Sequence, residues 1–279
     1  MKKILFPTDF SENSLNAFVY ALQIAKNINA EIITLHVYEL PIINSNYMDV
    51  PIYLPEVYEN IELNKFENFK DQIPLLRSIA EKHHLGNIKI SNVLLDGDLV
   101  DNVLEIVEKE NITYVVMGTK GATGIKELFL GSRTASVMAG TKANVLGVPE
   151  ESNYEPIKKI GFTTKFTDDD LEALTKLVAI AKTFPASIDC LYIKTPNSEI
   201  NNIFINQWKL IFKNEDVNFH VIESKDVEDA IIDFIDLHHI NLLAVLNYKR
   251  GFFESFFNQS LTKKLAYHIK IPLLALHKN

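Results

Sequence analysis

The chain carries its own sequence twice in diverged form. KKILFPTDFS at 2–11 returns as KKIGFTTKFT at 158–167, TYVVMG at 113–118 as NLLAVL at 241–246, and TKANVLGV at 141–148 as IKIPLLAL at 269–276. Matching segments in the same order mean a tandem duplication, so whatever the first copy folds into, the second must approximate. The length of 279 residues fits two domains of about 140 residues each. Between the copies, EESNYEP at 150–156 is polar, acidic and closed by proline, and it reads as a linker. The expected domains are 1–149 and 157–279.

Within the first copy, short apolar β-rich runs alternate with amphipathic stretches. Residues 2–7 read as a buried strand, with Ser11 as the N-cap of a helix over 12–29 whose apolar face is Leu15, Phe18, Val19, Leu22, Ala25 and Ile28. A strand at 31–38 follows. A long helix is predicted over 59–84, with Leu63, Phe66, Phe69, Ile73, Leu76 and Ile79 turned inward and Pro74 bending or splitting it. A strand at 88–95, a helix at 99–110, a strand at 113–117, a helix from Ser132 and a last strand at 145–148 complete the copy. Buried strands joined by helices make a parallel sheet covered on both faces. The second copy gives a helix at 171–182, strands at 187–194, 218–223 and 241–246, a helix at 227–237 and a closing strand at 271–276. The fold class is therefore α/β: two tandem doubly wound domains, each with a parallel sheet of about five strands. The two closing strands are short and apolar.

Composition narrows the partners. Apolar residues make up 47% and charged residues 23%, enough apolar surface for a packed core. The net charge of −8 disfavours nucleic acid and anionic membrane, both polyanions. The single cysteine, Cys190, excludes a disulfide framework and a multi-cysteine metal site, and inside SIDCLYIK it reads as buried and inert. No apolar run approaches the length of about 20 residues that spans a bilayer, and the N-terminus turns polar at Thr8, so the expected location is the cytoplasm.

The chemistry concentrates after the fourth strand, where the chain reads MGTKGATGIKELFLGS over 117–132. In a doubly wound sheet, ligands bind outside the carboxyl ends of the strands. Glycines there let main-chain N–H groups approach phosphate oxygens, and the N-terminus of the helix opened by Ser132 favours an anion. Lys120, Lys126 and Arg133 add positive charge. The loop is not a Walker loop, because no GKS or GKT follows, and it lacks GxGxxG spacing.

The spacing Gly118-x2-Gly121-x9-Gly131-Ser132 resembles the nucleotide-binding signature of the universal stress protein family, G-x2-G-x9-G-(S/T). ILFPTDFSENS, LHVYE and DGDLVDNVLEIVEKENITYVVMG resemble that family as well, across 1–149 and more weakly through the repeat. The resemblance implies a Rossmann-like domain of the adenine nucleotide alpha hydrolase kind that binds ATP, with or without Mg²⁺, in the first copy only. By position, Gly118, Gly121, Gly131 and Ser132 would wrap ribose and phosphates. Asp9 would sit by the adenine or ribose, Pro7 and Thr8 would form part of the adenine wall, and Val37 and Met117 would complete the apolar cleft. Lys120 and Arg133 lie beside these positions. In that family the closing strand pairs across a dimer, so the resemblance implies that the two closing strands here pair with each other as an intramolecular pseudo-dimer, which removes an exposed edge, or that the chain forms a homodimer.

The second copy has lost these features. Leu246 stands at the place of Gly118, Lys249 at Gly121, Gln259 at Gly131 and Lys165 at Asp9, while Ser260 matches Ser132. ATP is not expected there. Phe252, Phe253, Phe256 and Phe257 suggest packing or a contact surface instead. The loop over 41–56 after the second strand reads as a lid, an interface segment or a passive insertion. His36 reads as a satisfied strand residue. The pairs His83–His84 and His238–His239 sit near helix ends, where adjacent side chains diverge, so neither pair is a metal clamp by itself. No nucleophile, catalytic base or GxSxG elbow is identifiable. The function expected is that of a stress-response protein that binds ATP as a sensor or regulator without fast turnover, acting on a protein partner. The alternative is a nucleotide-independent interaction scaffold that uses the aromatic surface of the second copy.

Overall fold

The short apolar runs are strands, and the amphipathic stretches between them are helices. In a computed structural model of the chain, residues 1–41, 54–119, 131–196, 202–247 and 270–277 are described. The first half comprises β1 (Lys2–Pro7), α1 (Glu12–Ile28), β2 (Ala30–Tyr38), α2 (Leu54–Lys82), β3 (Ile90–Asp96), α3 (Leu99–Lys109), β4 (Tyr114–Gly118), α4 (Ser132–Gly140) and β5 (Asn144–Val148). The second comprises β6 (Lys159–Thr163), α5 (Asp168–Thr183), β7 (Ser187–Lys194), α6 (Asn202–Ile211), β8 (Val217–Glu223), α7 (Val227–His238), β9 (Leu242–Asn247) and β10 (Leu273–His277).

All ten described strands form one sheet in the order β3-β2-β1-β4-β5-β10-β9-β6-β7-β8. Each half therefore has the same doubly wound order. Every pairing within a half is parallel. The halves meet where β5 and β10 pair antiparallel, with Leu273 opposite Gly147, Leu274 opposite Leu146 and Ala275 opposite Val145. The strands that would have been edges are thus central. Two apolar clusters line the two faces of this sheet. One holds Phe6, Phe18, Leu76, Phe162 and Trp208; the other holds Leu35, Val115, Met138, Ile231 and Phe234.

The duplication extends to backbone detail. Phe10 and Phe166 have φ of 59° and 58°, a left-handed conformation that is rare for bulky residues. In each, the N–H is donated to a threonine hydroxyl two residues back, Thr8 or Thr164. Ser11 caps α1 and Thr167 caps α5 at the same position, the latter as a full capping box with Asp170.

Three expectations are corrected. Leu63 and Phe66 are 56% and 54% exposed, so the inward face of α2 begins at Phe69 and not at Leu63. The helix is long enough for its first turns to run beyond the sheet. Pro74 does not split α2. It lies on the exposed side, where water can take up the carbonyl of residue 70 that loses its partner. A helix between β7 and β8, α6, was not expected. It is anchored by Trp208 and Phe212, both buried, against Phe166 and Phe219. The linker is docked on the first half: Tyr20 Oη lies 2.8 Å from Ser152 Oγ and donates to the Asn153 carbonyl at 3.0 Å, Asn16 donates to the Ser152 carbonyl, and Tyr154 packs edge-on against Tyr20. No helix among the described residues is long and apolar enough to cross a membrane.

Candidate functional site

The chain leaves β1 towards β2 and β3, then returns to the other side of β1 as β4. The carboxyl ends of β1 and β4 are therefore the topological switch point, where a crevice opens in a doubly wound sheet. Pro7, Thr8 and Asp9 sit at the first of these ends, and Met117 and Gly118 at the second. Pro7, Thr8 and Met117 are buried, while Val37 at the end of β2 is half-buried.

The turn after β1 is held by its own polar groups. The Thr8 N–H donates to the Leu35 carbonyl at 2.8 Å, and its hydroxyl lies 3.0 Å from Ser14 Oγ. Asp9 is exposed, and its Oδ1 accepts from both the N–H and the hydroxyl of Ser11, at 3.1 and 2.6 Å. Asp9 thus fixes the serine that caps α1 while its carboxylate remains at the mouth of the crevice. His36 Nδ1 hydrogen-bonds to the Thr8 carbonyl at 2.8 Å, and its ring stacks on Phe69 at 6.0 Å and 11°. His36 therefore has a partner, as expected, and it supports the Thr8 turn.

The two described glycines of the signature are places of close backbone approach. A Cβ at Gly131 would lie 2.6 Å from the Thr119 carbonyl oxygen, and one at Gly118 would lie 2.8 Å from Nδ2 of Asn13 on α1. Neither position accepts a side chain without rearrangement. The Gly131 N–H donates to the Thr119 carbonyl, and the Thr134 hydroxyl donates to the Gly118 carbonyl at 3.0 Å, which tie the two ends of the loop together.

Helix α4 begins at Ser132, as expected, but Ser132 is not its cap. Its N-cap is Gly131, with no side-chain cap, and Ser132 is the first helical residue. Gly131 offers no side-chain cap to the leading N–H groups of α4, and a helix start of this kind favours an anion. Ser132 and Arg133 are exposed, and Arg133 Nη2 donates to Glu39 Oε1 at 3.4 Å across the carboxyl end of β2. Lys120, Gly121, Lys126 and residues 42–53 lie outside the described residues, as do Lys249, Gln259, Ser260 and the four phenylalanines at 252–257.

Sequence reasoning missed Thr119. It is 1% exposed, and its hydroxyl has no hydrogen-bond partner among the described residues. Such a group is costly unless something satisfies it. A polar residue directly after the strand-end glycine was the signal available in the sequence.

In the second half the corresponding turn is closed. Asp170 Oδ2, 2% exposed as a residue, accepts from the N–H groups of Lys165 and Thr167 and from the Thr164 hydroxyl. Lys165 is exposed where the first half has Asp9, and Leu246 is buried where it has Gly118. Cys190 is fully buried, and burial pushes its thiol well above the usual range, in keeping with an inert core residue.

Comparison with known proteins agrees with this architecture. A family model described as "Universal stress protein family" matches residues 1–149. A universal stress protein of Methanocaldococcus jannaschii is 31% identical over 147 residues, covering 53% of this chain and 81% of that protein. Universal stress protein YxiE of Bacillus subtilis is 26% identical over 130 residues, covering 47% of this chain and 86% of its own. The crystal structure of a universal stress protein from Archaeoglobus fulgidus superposes on nearly the whole molecule, with a TM-score of 0.71 at 18% identity, covering 99% of this chain and 96% of that one. At that identity the likeness is one of fold, and it extends the two-half arrangement to both proteins. With its first 149 residues matched and its doubly wound order shared, the chain belongs to the universal stress protein family.

Proposed function

We propose that the first half binds ATP, with or without Mg²⁺, and that the protein acts in the cytoplasm as a nucleotide-dependent regulator or sensor of a protein partner, without fast turnover. The observation that carries this reading is the uncapped start of α4 at the switch point, with Gly131 pressed against Thr119. It supplies main-chain donors and a positive helix end for phosphates, beside a buried hydroxyl that needs a partner. Pro7, Thr8, Val37 and Met117 offer the apolar walls a purine would use. Asp9 offers an acceptor for ribose or adenine donors, and Arg133, with Lys120, a counter-charge. Gly121 completes the motif spacing. The binding half is the first one, because in the second Leu246 fills the strand end and Asp170 closes the turn.

Equilibrium dialysis of the purified protein against labelled ATP tests the proposal. One nucleotide per chain is expected, not two. No retention at millimolar ATP would remove the idea. Gly121→Val should abolish retention with unchanged circular dichroism.

A second reading is favoured by one observation. On α6, Ile203, Phe204, Leu210 and Ile211 are 48–70% exposed, a concentration of apolar surface suited to a nucleotide-independent contact. Mass spectrometry of the protein as purified separates the two readings, since co-purifying adenine nucleotide supports the first.

A further inference from the structure

The second half carries a group of side chains that has no counterpart in the first. Asp189 on β7, His220 on β8 and His238 at the end of α7 each direct one donor atom to a common point, and these atoms lie within 4.8 Å of one another. His220 Nε2 is 2.8 Å from Asp189 Oδ1, and the rings of His220 and His238 are 4.5 Å apart between centroids.

The repeat shows how unusual this is. The N–H groups of Thr8 and Thr164 donate to the carbonyls of Leu35 and Leu191, which makes Leu35 and Leu191 equivalent. Two residues earlier, Ile33 is equivalent to Asp189. The strand partners of Leu35 and Leu191 are Val93 and His220. Asn111 and His239 share left-handed φ values of 51° and 54°, so the residues before them, Glu110 and His238, also correspond. In the first half Glu110 pairs outward with Lys3, while Ile33 and Val93 are ordinary members of an apolar cluster. The second half has replaced that apolar pair by a carboxylate and an imidazole and has added a second imidazole over them. Asp189 is only 4% exposed. Placing a carboxylate in such a position is unfavourable unless it is matched by charge or coordination.

We propose that Asp189, His220 and His238 form a binding site for a divalent transition-metal ion of the zinc class. A carboxylate with two imidazoles is a donor set that suits zinc, leaving a fourth position for water. Ligation through His220 Nε2 replaces its hydrogen bond to Asp189, with the one remaining ring proton on Nδ1. The His220 side chain is 27% exposed, and Asp189 and His220 border a cleft of about 510 Å³ that also meets Lys209, Phe212 and Glu215. The C-terminal end of α7 contributes its negative dipole. Lys159, Lys209 and Lys213 are adverse charges nearby, and the Lys159 ammonium is engaged by the His238 carbonyl at 3.0 Å. The site lies towards the amino ends of the second-half strands, remote from the proposed nucleotide crevice, and does not depend on that reading.

The test uses untagged full-length protein and Zn²⁺ alone, titrated in competition with a chromogenic chelator at neutral pH. One ion per chain is expected, with a rise in thermal midpoint. Asp189→Asn, His220→Gln and His238→Gln should each weaken binding by at least about tenfold. His83→Ala/His84→Ala and His239→Ala should leave it unchanged. No binding by the wild type, or binding that survives His220→Gln/His238→Gln, overturns the proposal. If those variants fail to fold, the wild type still decides. On adding one equivalent of Zn²⁺, the side-chain ¹⁵N signals of two histidines should move, and nuclear Overhauser contacts to Phe234, which packs against both His220 and His238, should identify them. Shifts at other histidines overturn it equally.

Discussion

Gly118 and Gly131 belong to one motif but are glycines for different local reasons. At Gly131 the obstacle to a side chain is backbone, the Thr119 carbonyl at 2.6 Å, so any substitution must move the loop itself. Gly131 variants therefore test loop geometry and nucleotide binding together. At Gly118 the obstacle is the end of a side chain, Asn13, which is 5% exposed on α1. Gly118→Ala should cost about 1–3 kcal/mol in urea unfolding, as overpacking does. The Asn13→Ala/Gly118→Ala double variant should be more stable than the two single effects add up to. Strict additivity would mean that Asn13 is not what demands the glycine. The sequence displays the glycine spacing plainly, because both residues lie in one short stretch. It does not display Asn13, which comes from the first helix and meets Gly118 only when β4 settles beside β1. That the Thr119 hydroxyl has no hydrogen-bond partner among the described residues is hidden for the same reason, since satisfaction depends on neighbours that are distant in the chain. Asp9 is a mixed case: its place at a strand end is legible, whereas its two hydrogen bonds to Ser11 appear only in the folded turn.

Helix α2 shows what periodicity can and cannot say. The apolar spacing from Leu63 to Ile79 is that of a helix, and a helix forms. Periodicity does not say how much of it has anything to pack against, and its first turns have no inward partner for Leu63 and Phe66 among the described residues. Pro74 sits inside it at the expense of one intrahelical hydrogen bond. Pro74→Ala should raise stability by up to about 3 kcal/mol, seen as a higher denaturant midpoint, and an unchanged midpoint would mean the helix had already accommodated the ring. Helix α6 was illegible because its short core-facing signal, Trp208 and Phe212, is surrounded by apolar residues that stay exposed, so no clean face stands out. The docking of the linker was not legible either: its composition is polar, yet Ser152 is 6% exposed and hydrogen-bonded to Tyr20. Burial pushes the Tyr20 phenol up to about 12, the Ser152 hydrogen bond acting against the shift. The neutral phenol is the form the folded state prefers, so this contribution is complete below the unfolded value near 10 and is lost as pH rises from there through about 12. Stability should fall over that window, and Tyr20→Phe should flatten part of the fall, leaving the share due to Tyr114, which is raised in the same way.

At the scale of the molecule, duplication turns an assembly problem into a folding one. In each half the last strand pairs on one side with its own sheet, β5 with β4 and β10 with β9, and on the other side with its counterpart. Because that contact is antiparallel, the two halves are related by an approximate two-fold, as the subunits of a symmetric dimer would be. The strands at stake are deeply apolar: Val145, Leu146, Leu274 and Ala275 are at most 3% exposed. Once both halves lie in one chain, the second is free to lose its glycine motif and still be needed as the cover for β5. This accounts for a second copy that keeps its closing strand and its turn geometry at Phe166 while losing the glycines. The expected autonomous unit is the first half, and its boundary should fall beyond Tyr154 so that the docked linker is kept. A fragment of residues 1–155 leaves the β5 edge bare. A bare apolar edge recruits another strand, so the fragment should sediment as a dimer through β5–β5 pairing. Introducing lysine at Leu146 in the same fragment should shift it to monomer or to insoluble material. A stable, folded monomer of the unsubstituted fragment would show that the second half is not held in place by the needs of this edge, and the explanation for its retention would have to come from what it binds.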